Sequence, residues 1–284
     1  MNDFCIFILS HERPDRVRTI RSLEKAGYTG AWRVVVDDQD SCLETYRKRF
    51  GDQLITFSKD AVAPRVDLAD NFEGQQTPIY AREKVWDWAQ EMGLEHFMVM
   101  DDDYYYIEYK VRPDGRPAPK GEWAMDLDAS IQAMRGYMRD APVDCLAFSQ
   151  GGDWIGGTPA TYDTGYSSKR KTMNAFLFET ASKVGFPGRF NDDVNTYLLH
   201  GNRGRLFLTF LAIKLDQEDT QDQAGGITEA YKQYGTYVKS FYTVMHAPSC
   251  TQVQSMGQNH NRWHHRISWR HAVPKIISEE HRKH

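Results

Sequence analysis

Apolar and polar positions follow two alternating periods along the first hundred residues. Phe4–Leu9 is an unbroken apolar run, as expected of a strand covered on both faces. It leads into Ser10-His11-Glu12-Arg13-Pro14-Asp15. Beyond it Val17, Ile20 and Leu23 share one helical face, with Asp15 placed to cap that helix and Gly27 to stop it. Residues 32–36 read as a second strand, ending at Asp37-Asp38. A helix over Leu43–Phe50 stops at Gly51, and Leu54–Phe57 is a short third strand. Thr77-Pro78 opens a helix carrying Tyr80, Ala81, Val85, Trp88 and Met92, which ends at Gly93. Residues 96–100 form a fourth strand that runs straight into Asp101-Asp102-Asp103. This order predicts an α/β fold with a mostly parallel central sheet and helices on both faces. In such sheets ligands bind beyond the carboxyl ends of the strands, where these polar clusters fall.

The second half is less regular. Residues 112–120 hold three prolines and read as a loop. A helical period covers 127–138, and a short strand over 145–148 precedes the glycine-rich segment 151–157. Residues 191–199 read as a helix start with Asn191 or Asp192 at the cap, and 206–213 as a strand. Residues 216–226 are polar and glycine-ended, as a loop closing over a ligand would be. Residues 241–245 read as a further strand, ending at His246. The expected organisation is one catalytic domain over 1–250 and a basic, aromatic extension over 251–284.

Composition narrows the class. The 284 residues are 40% hydrophobic, and 21 glycines bring the apolar share to the globular average, which excludes global disorder. Lys+Arg 35 against Asp+Glu 39 gives −4, so placement of charge matters more than its sum. No apolar run approaches the roughly 20 residues of a membrane helix. Phe4–Leu9 is too short for a signal core, and no basic segment precedes it. Cys5, Cys42, Cys145 and Cys250 form no C-x-x-C pair and read as reduced residues of a cytoplasmic protein.

The aspartate triplet carries the most chemistry. On an extended backbone Asp101 and Asp103 point one way and Asp102 the other. Two carboxylates on one face at a strand end make a hard oxygen site for Mn²⁺ or Mg²⁺, which substrate phosphates commonly complete. Unpaired, the three would repel one another, so a cation or an arginine is expected beside them.

With Met98-Val99-Met100 ahead of it, this triplet resembles the Asp-x-Asp motif of nucleotide-sugar glycosyltransferases of the GT-A type, a Rossmann-like fold. The resemblance implies a UDP-sugar donor, with Asp101 and Asp102 beside it and Asp101 and Asp103 holding the metal. Ser10, His11 and Arg13 on the first loop, with Asp37 and Asp38, are similar to the family's base and ribose contacts. Tyr80-Ala81-Arg82-Glu83 resembles the segment whose arginine faces the diphosphate. Asn191-Asp192-Asp193 resembles the acidic motif that supplies the acceptor's base, either carboxylate being available. Met245-His246 resembles the C-terminal metal-binding histidine.

The segments around His11, Arg82 and Asp101 also resemble a narrower group, the phage glycosyltransferases associated with TET/JBP base hydroxylases. That resemblance implies an acceptor hydroxymethyl group on a pyrimidine of DNA. Local charge suits such a partner. Residues 262–284 hold Arg262, Arg266, Arg270, Lys275, Arg282 and Lys283 against Glu279 and Glu280, with Trp263 and Trp269 interleaved. Gly152, Asp153 and Trp154 are candidate acceptor contacts, and Tyr104, Tyr105 and Tyr106 candidate wedges for an extruded base. A transferase acting on a glycan, lipid or protein would share the catalytic residues. A non-catalytic DNA-binding module would leave Asp101 and Asp103 without a role.

Overall fold

The computed structural model describes residues 3–112, 114–154, 166–167, 172, 175–217, 227–235, 237–256 and 262–272. The strands are β1 Phe4–Leu9, β2 Ala31–Asp37, β3 Leu54–Phe57, β4 His96–Asp101, β5 Tyr104–Val111, β6 Pro117–Trp123, β7 Cys145–Gln150, β8 Tyr166–Ser167, β9 Phe176–Glu179, β10 Phe207–Gln217, β11 Thr251–Met256 and β12 Arg262–Ile267. The helices are α1 Arg18–Lys25, α2 Leu43–Phe50, α3 Lys59–Val62, α4 Ile79–Glu91, α5 Leu127–Asp140, α6 Asp192–Asn202, α7 Ile227–Tyr234, α8 Val238–His246 and α9 Trp269–Ala272.

One large sheet has the order β3-β2-β1-β4-β9-β7-β10-β5-β6, with β8 beside β10. Pairing is parallel through β3, β2, β1 and β4, and again between β7 and β10. β9 is antiparallel to both β4 and β7 and joins the two parallel blocks. The apolar run of β1 is used on both faces. Phe4, Ile6 and Ile8 pack with Leu23, Leu127, Ile131 and Met134, while Cys5, Phe7 and Leu9 pack with Ile79, Val85, Trp86 and Ala89. Each such side chain is worth about 1.5–3 kcal/mol of burial, so neither face can be left open. The sheet is thus an α/β layer with helices on both sides, as the periodicity predicts.

Three expectations need correction. Asp15 does not cap α1. A single turn over Pro14–Arg16 precedes the helix, and Asp15 pairs with Arg49. The start of α1 is satisfied from outside: Thr19 N donates to Asp102 O at 3.2 Å and Thr19 Oγ1 to Asp101 O at 2.6 Å. Residues 112–120 are not all loop, because β6 begins at Pro117. Its prolines are tolerated because β6 is the last strand of the sheet and has an unpaired edge. Residues 241–245 are helical, not extended. Ser240, Tyr242 and Thr243 of α8 are buried while Tyr237, Phe241 and Met245 line the opposite side, the 3.6-residue period of a helix. The β11–β12 hairpin and α9 follow, and Ile267 and Ala272 join the apolar cluster that contains Phe7 and Trp86.

Trp86 makes edge-on contact with Phe97 at 4.7 Å and a tilted contact with Phe178 at 5.1 Å, so it packs the helix layer onto β4 and β9. Trp86→Ala is expected to lower the free energy of unfolding by about 3–5 kcal/mol. Urea denaturation followed by circular dichroism reads that loss, and a change below about 1 kcal/mol would refute this account of the packing.

Candidate active site

Asp101 is the last residue of β4, and Asp102 and Asp103 form the turn into β5. The three carboxylates have different surroundings. Asp102 is buried against the β1 loop: Ser10 Oγ donates to its Oδ2 at 2.5 Å, and Arg13 Nη2 lies 3.1 Å from its Oδ1. Burial raises its pKa to about 6 despite Arg13. Asp103 is half-buried, and its Oδ1 is closed from water with no hydrogen-bond partner among the described residues. Burial and the charges of Asp101 and Asp102 push its pKa up to about 7. Asp101 stays about a third open and lies 3.6 Å from Arg82 Nη2. Desolvation and the charge of Asp193 raise its pKa, and Arg82 opposes them.

Arg82 joins the two acidic motifs. Its side chain is 3% exposed, its Nη1 pairs with Asp192, and its Nη2 faces Asp101. Phe176 of β9 and Phe186 lie 5.4 and 5.2 Å from the guanidinium, so the cation sits on aromatic faces. Asp192 is itself buried, and burial together with the charges of Asp193 and Asp101 raises its pKa against the pull of Arg82. One arginine therefore faces three carboxylates, and the local charge is negative. Such a site is finished by a cation.

The start of α6 is held from several sides. Asn191 adopts φ 53, a left-handed conformation, and stands at the cap position without a side-chain cap bond. Its Nδ2 is instead 2.8 Å from Lys239 O, 3.0 Å from Thr243 Oγ1 and 3.1 Å from His265 Nδ1. Arg189, fully buried, donates to both oxygens of Asp70 at 2.9 and 3.0 Å and to the carbonyls of Gly74 and Phe72. Tyr242 also donates to Asp70. These contacts fix the chain just ahead of Asp192-Asp193.

His246 ends α8. Its Nε2 is buried and has no partner among the described residues, and burial lowers its pKa. A side chain on Gly188, which has φ +87, would come within 3.0 Å of that nitrogen, so glycine is required there. Asp103 Oδ1 and His246 Nε2 are thus two buried polar atoms without hydrogen-bond partners among the described residues, and each is of a type that can ligate a divalent cation. The structure does not draw Asp101, Asp103 and His246 into one tight group. Among the described residues, the group whose ligand atoms all lie within 4.8 Å is His11, Asp37 and Asp40.

That second cluster is already balanced. His11 Nδ1 lies 3.0 Å from Asp37 and 3.1 Å from Asp40, and Lys59 Nζ lies 3.1 Å from Asp37. The amides of Glu12, Gln39 and Cys42 donate to the same carboxylates. Two anions with two cations and three amides leave no charge for a metal to neutralise. They hold the β1 and β2 loops together instead. Asp38 is exposed beside them.

The remaining expected residues fall as follows. Asp153 accepts from Gln150 N at 2.9 Å and closes the turn Gly151–Trp154, which contains Gly152. The side chain of Trp154 lies outside the described residues, as do 155–157 and 218–226 of the expected ligand-closing loop. Tyr104 is buried, Tyr106 packs on Trp123, and Tyr105 is exposed. Sequence reasoning missed Asp40, Lys59, Asp70, Arg189 and His265. Asp40 alone had a signal, as the third acid of Asp37-Asp38-Gln39-Asp40.

The family model for TET-associated glycosyltransferases matches residues 4–226. The chain belongs to this family. It is a glycosyltransferase, and its α/β architecture is the one expected of the GT-A class. No curated protein matches it in sequence. Among solved structures, it is similar to glucosyl-3-phosphoglycerate synthase from Mycobacterium tuberculosis in complex with Mn²⁺, UDP and phosphoglyceric acid. Identity is 9% over 93% of this chain and 86% of that one, with TM-score 0.45. It is also similar to S. aureus TarS 1–349 in complex with UDP-GlcNAc, at 11% identity over 86% of this chain and 66% of that one, with TM-score 0.49. At these identities neither assigns a substrate to the transferase. Among the described residues no helix is long and apolar enough to cross a membrane.

Two outcomes follow from these electrostatics. Asp37 and Asp40 hold the His11 pKa at about 9, above its ordinary 6.5, even though burial opposes them. A raised histidine stabilises the fold fully below pH 6.5 and loses that contribution as pH climbs through 9, an effect of up to roughly 3 kcal/mol. Melting temperatures between pH 6 and 9.5 should therefore fall more steeply for the wild type than for His11→Gln; parallel curves would exclude the effect. Arg82→Met strands buried carboxylates and should cost about 3–5 kcal/mol, partly restored by adding Asp192→Asn. Additive losses in that double-mutant cycle would mean the pair is not coupled.

Proposed function

We propose that this transferase moves a sugar from a UDP-sugar to the hydroxymethyl group of a 5-hydroxymethylcytosine or 5-hydroxymethyluracil in phage DNA, in the cytoplasm of the infected cell. The observation that carries the reading is the meeting of two acidic motifs, from β4 and α6, on one buried arginine. The family, defined by association with TET, supports the acceptor. The donor lies across the carboxyl ends of β1, β2 and β4. Its nucleoside rests against the His11–Asp37–Asp40 frame with Asp38, and its diphosphate faces Arg13 and the aspartate turn. Asp101, Asp103 and His246 hold Mn²⁺ or Mg²⁺, which when bound supplies positive charge to the departing diphosphate.

The chain's own groups do the rest. The bond between the anomeric carbon and the diphosphate oxygen breaks, and its electron pair leaves with the UDP. The acceptor oxygen forms the new bond to that carbon, and its proton passes to a carboxylate. Asp192 is spent on Arg82 and buried, whereas Asp193, next along the first turn of α6, is only half-buried. Asp193 is therefore the base, and Asp192 orients it through Arg82. Gly152, Asp153 and Trp154 border the acceptor.

The test is transfer itself. With Mn²⁺, a panel of UDP-sugars and DNA containing hydroxymethylated pyrimidines, nucleoside mass spectrometry should show a hexose- or pentose-sized gain. EDTA and Asp103→Ala should abolish it. Asp193→Asn should lower kcat about 10²–10⁴-fold with the donor KM little changed. Hydrolysis of the UDP-sugar without any gain on DNA would reject the DNA acceptor and keep the transferase. A gain that persists in EDTA would reject the metal site.

A further inference from the structure

Charge is segregated along the chain. Residues 230–278 contain no Asp or Glu and six Lys or Arg: Lys232, Lys239, Arg262, Arg266, Arg270 and Lys275. The rest of the chain carries 29 Lys or Arg against 39 Asp or Glu. The same segment exposes large apolar side chains. Tyr237, Phe241 and Met245 are each about half exposed along one side of α8, and Trp263 of β12 is 58% exposed. Tyr237 and Phe241 meet edge to face at 6.3 Å. A half-exposed row of rings in a segment without carboxylates marks an interaction surface.

The row adjoins the acidic motif. Ser240 Oγ donates to Trp263 O at 3.4 Å, which seats Trp263 beside α8. Trp263, His265 and Ile267 alternate along β12 and so share one face of the ribbon. His265 Nδ1 is 3.1 Å from Asn191 Nδ2, next to Asp192-Asp193. Trp263 therefore stands about 7 Å along the strand from the residue that touches the motif. From there the rings lead around α8 through Tyr237 and Phe241. The opposite face of the ribbon carries Gln252, Gln254, His264 and Arg266, paired across the strands as Gln252 with Arg266 and Gln254 with His264. Arg266 and, on α9, Arg270 are exposed, and neither makes an ion pair among the described residues.

We propose that α8 and the β11–β12 ribbon form the surface on which the DNA acceptor docks. The strand passes over the edge of the ribbon, with unstacked bases on Trp263, Phe241 and Tyr237 on one side and phosphates near Arg266 and Arg270 on the other. The proposal rests on the DNA-acceptor reading and deepens it by naming where the strand is held while one base reaches Asp193. Its chemistry is that of a strand-binding surface: π faces for any base, cations for the backbone, and no carboxylate to repel it. The hydrogen-bonding ribbon face, rich in amide and imidazole groups, favours a nucleic acid over an anionic lipid surface.

Binding is measured by fluorescence anisotropy on labelled single-stranded and duplex DNA, with and without hydroxymethylated pyrimidines, across a salt series. Trp263→Ala and Phe241→Ser should each weaken binding at least about fivefold, from a stacking contribution of roughly 1 kcal/mol or more per base. Arg266→Glu with Arg270→Glu should flatten the log–log salt slope by about 1 or more, the share of two phosphate contacts. UDP-sugar hydrolysis without acceptor should be unchanged in all of them, which also shows that they fold. Met125→Ser, at an exposed apolar residue in the turn before α5, should bind like the wild type. Wild-type affinity in the ring and arginine variants, or displacement of DNA by anionic phosphatidylserine vesicles in the wild type but not in Trp263→Ala, would overturn the proposal. DNA binding that falls in these variants without any sugar transfer would retain the surface and reject the acceptor chemistry. Transfer that proceeds equally in all variants would do the reverse.

Discussion

The guanidinium of Arg82 is the contact on which the site depends. It lies inside the protein, on the faces of Phe176 and Phe186, with Asp192 on one side and Asp101 on the other. A buried cation of this kind is costly to desolvate and is retained only where anions meet it. It therefore draws β4, β9 and the first turn of α6 into one place. The antiparallel strand β9 covers the guanidinium with Phe176 and also joins the two parallel blocks of the sheet. Sheet topology and site geometry are here a single arrangement.

Two acidic clusters stand at the strand ends, and charge balance separates their roles. Asp37 and Asp40 are met by His11, Lys59 and three amides, so that cluster is complete and acts as a rigid frame. Asp101, Asp192 and Asp193 share Arg82, Asp103 stands beside Asp101, and the group remains short of positive charge. Asp102 belongs to neither cluster. Ser10 and Arg13 bind it and fix the β1 loop against the aspartate turn, while α1 caps itself on the carbonyls of the same turn. Three adjacent residues of one type thus carry different duties because each points into different surroundings.

The C-terminal elements connect the catalytic centre to the surface. Asn191 is held by α8 through Lys239 and Thr243 and by β12 through His265, all beyond the residues that match the family. The extension read from composition as a basic tail is, over its described part, a hairpin and a short helix packed on the main core. Its apolar face goes inward with Ile267, Ala272 and Trp269, which meets Tyr197, while Trp263, Arg266 and Arg270 remain outside. Basic and aromatic composition identified the character of the segment. It gave no indication that one of its histidines would support the acidic motif.

Much of the first hundred residues was legible because local periodicity and long-range packing agree there. A six-residue apolar run can only be a two-sided strand in this order of elements, and the aspartate triplet follows it by the same logic at β4. Asp101 and Asp103 could be named from residue type and position, and Arg82 and Asp192-Asp193 from the resemblance to GT-A glycosyltransferases. The sequence by itself therefore determined the strand–helix order, the class of chemistry and the segments that carry it. Tertiary structure decided the rest. β6 tolerates its prolines only because it lies at the sheet's edge, and 238–246 is helical because its buried side faces α6 and the hairpin. Arg82 became the hub because β9, remote in sequence, covers it with Phe176. These outcomes depend on which partners meet in space. A pattern read along one chain carries no term for the desolvation of a side chain by neighbours a hundred residues away.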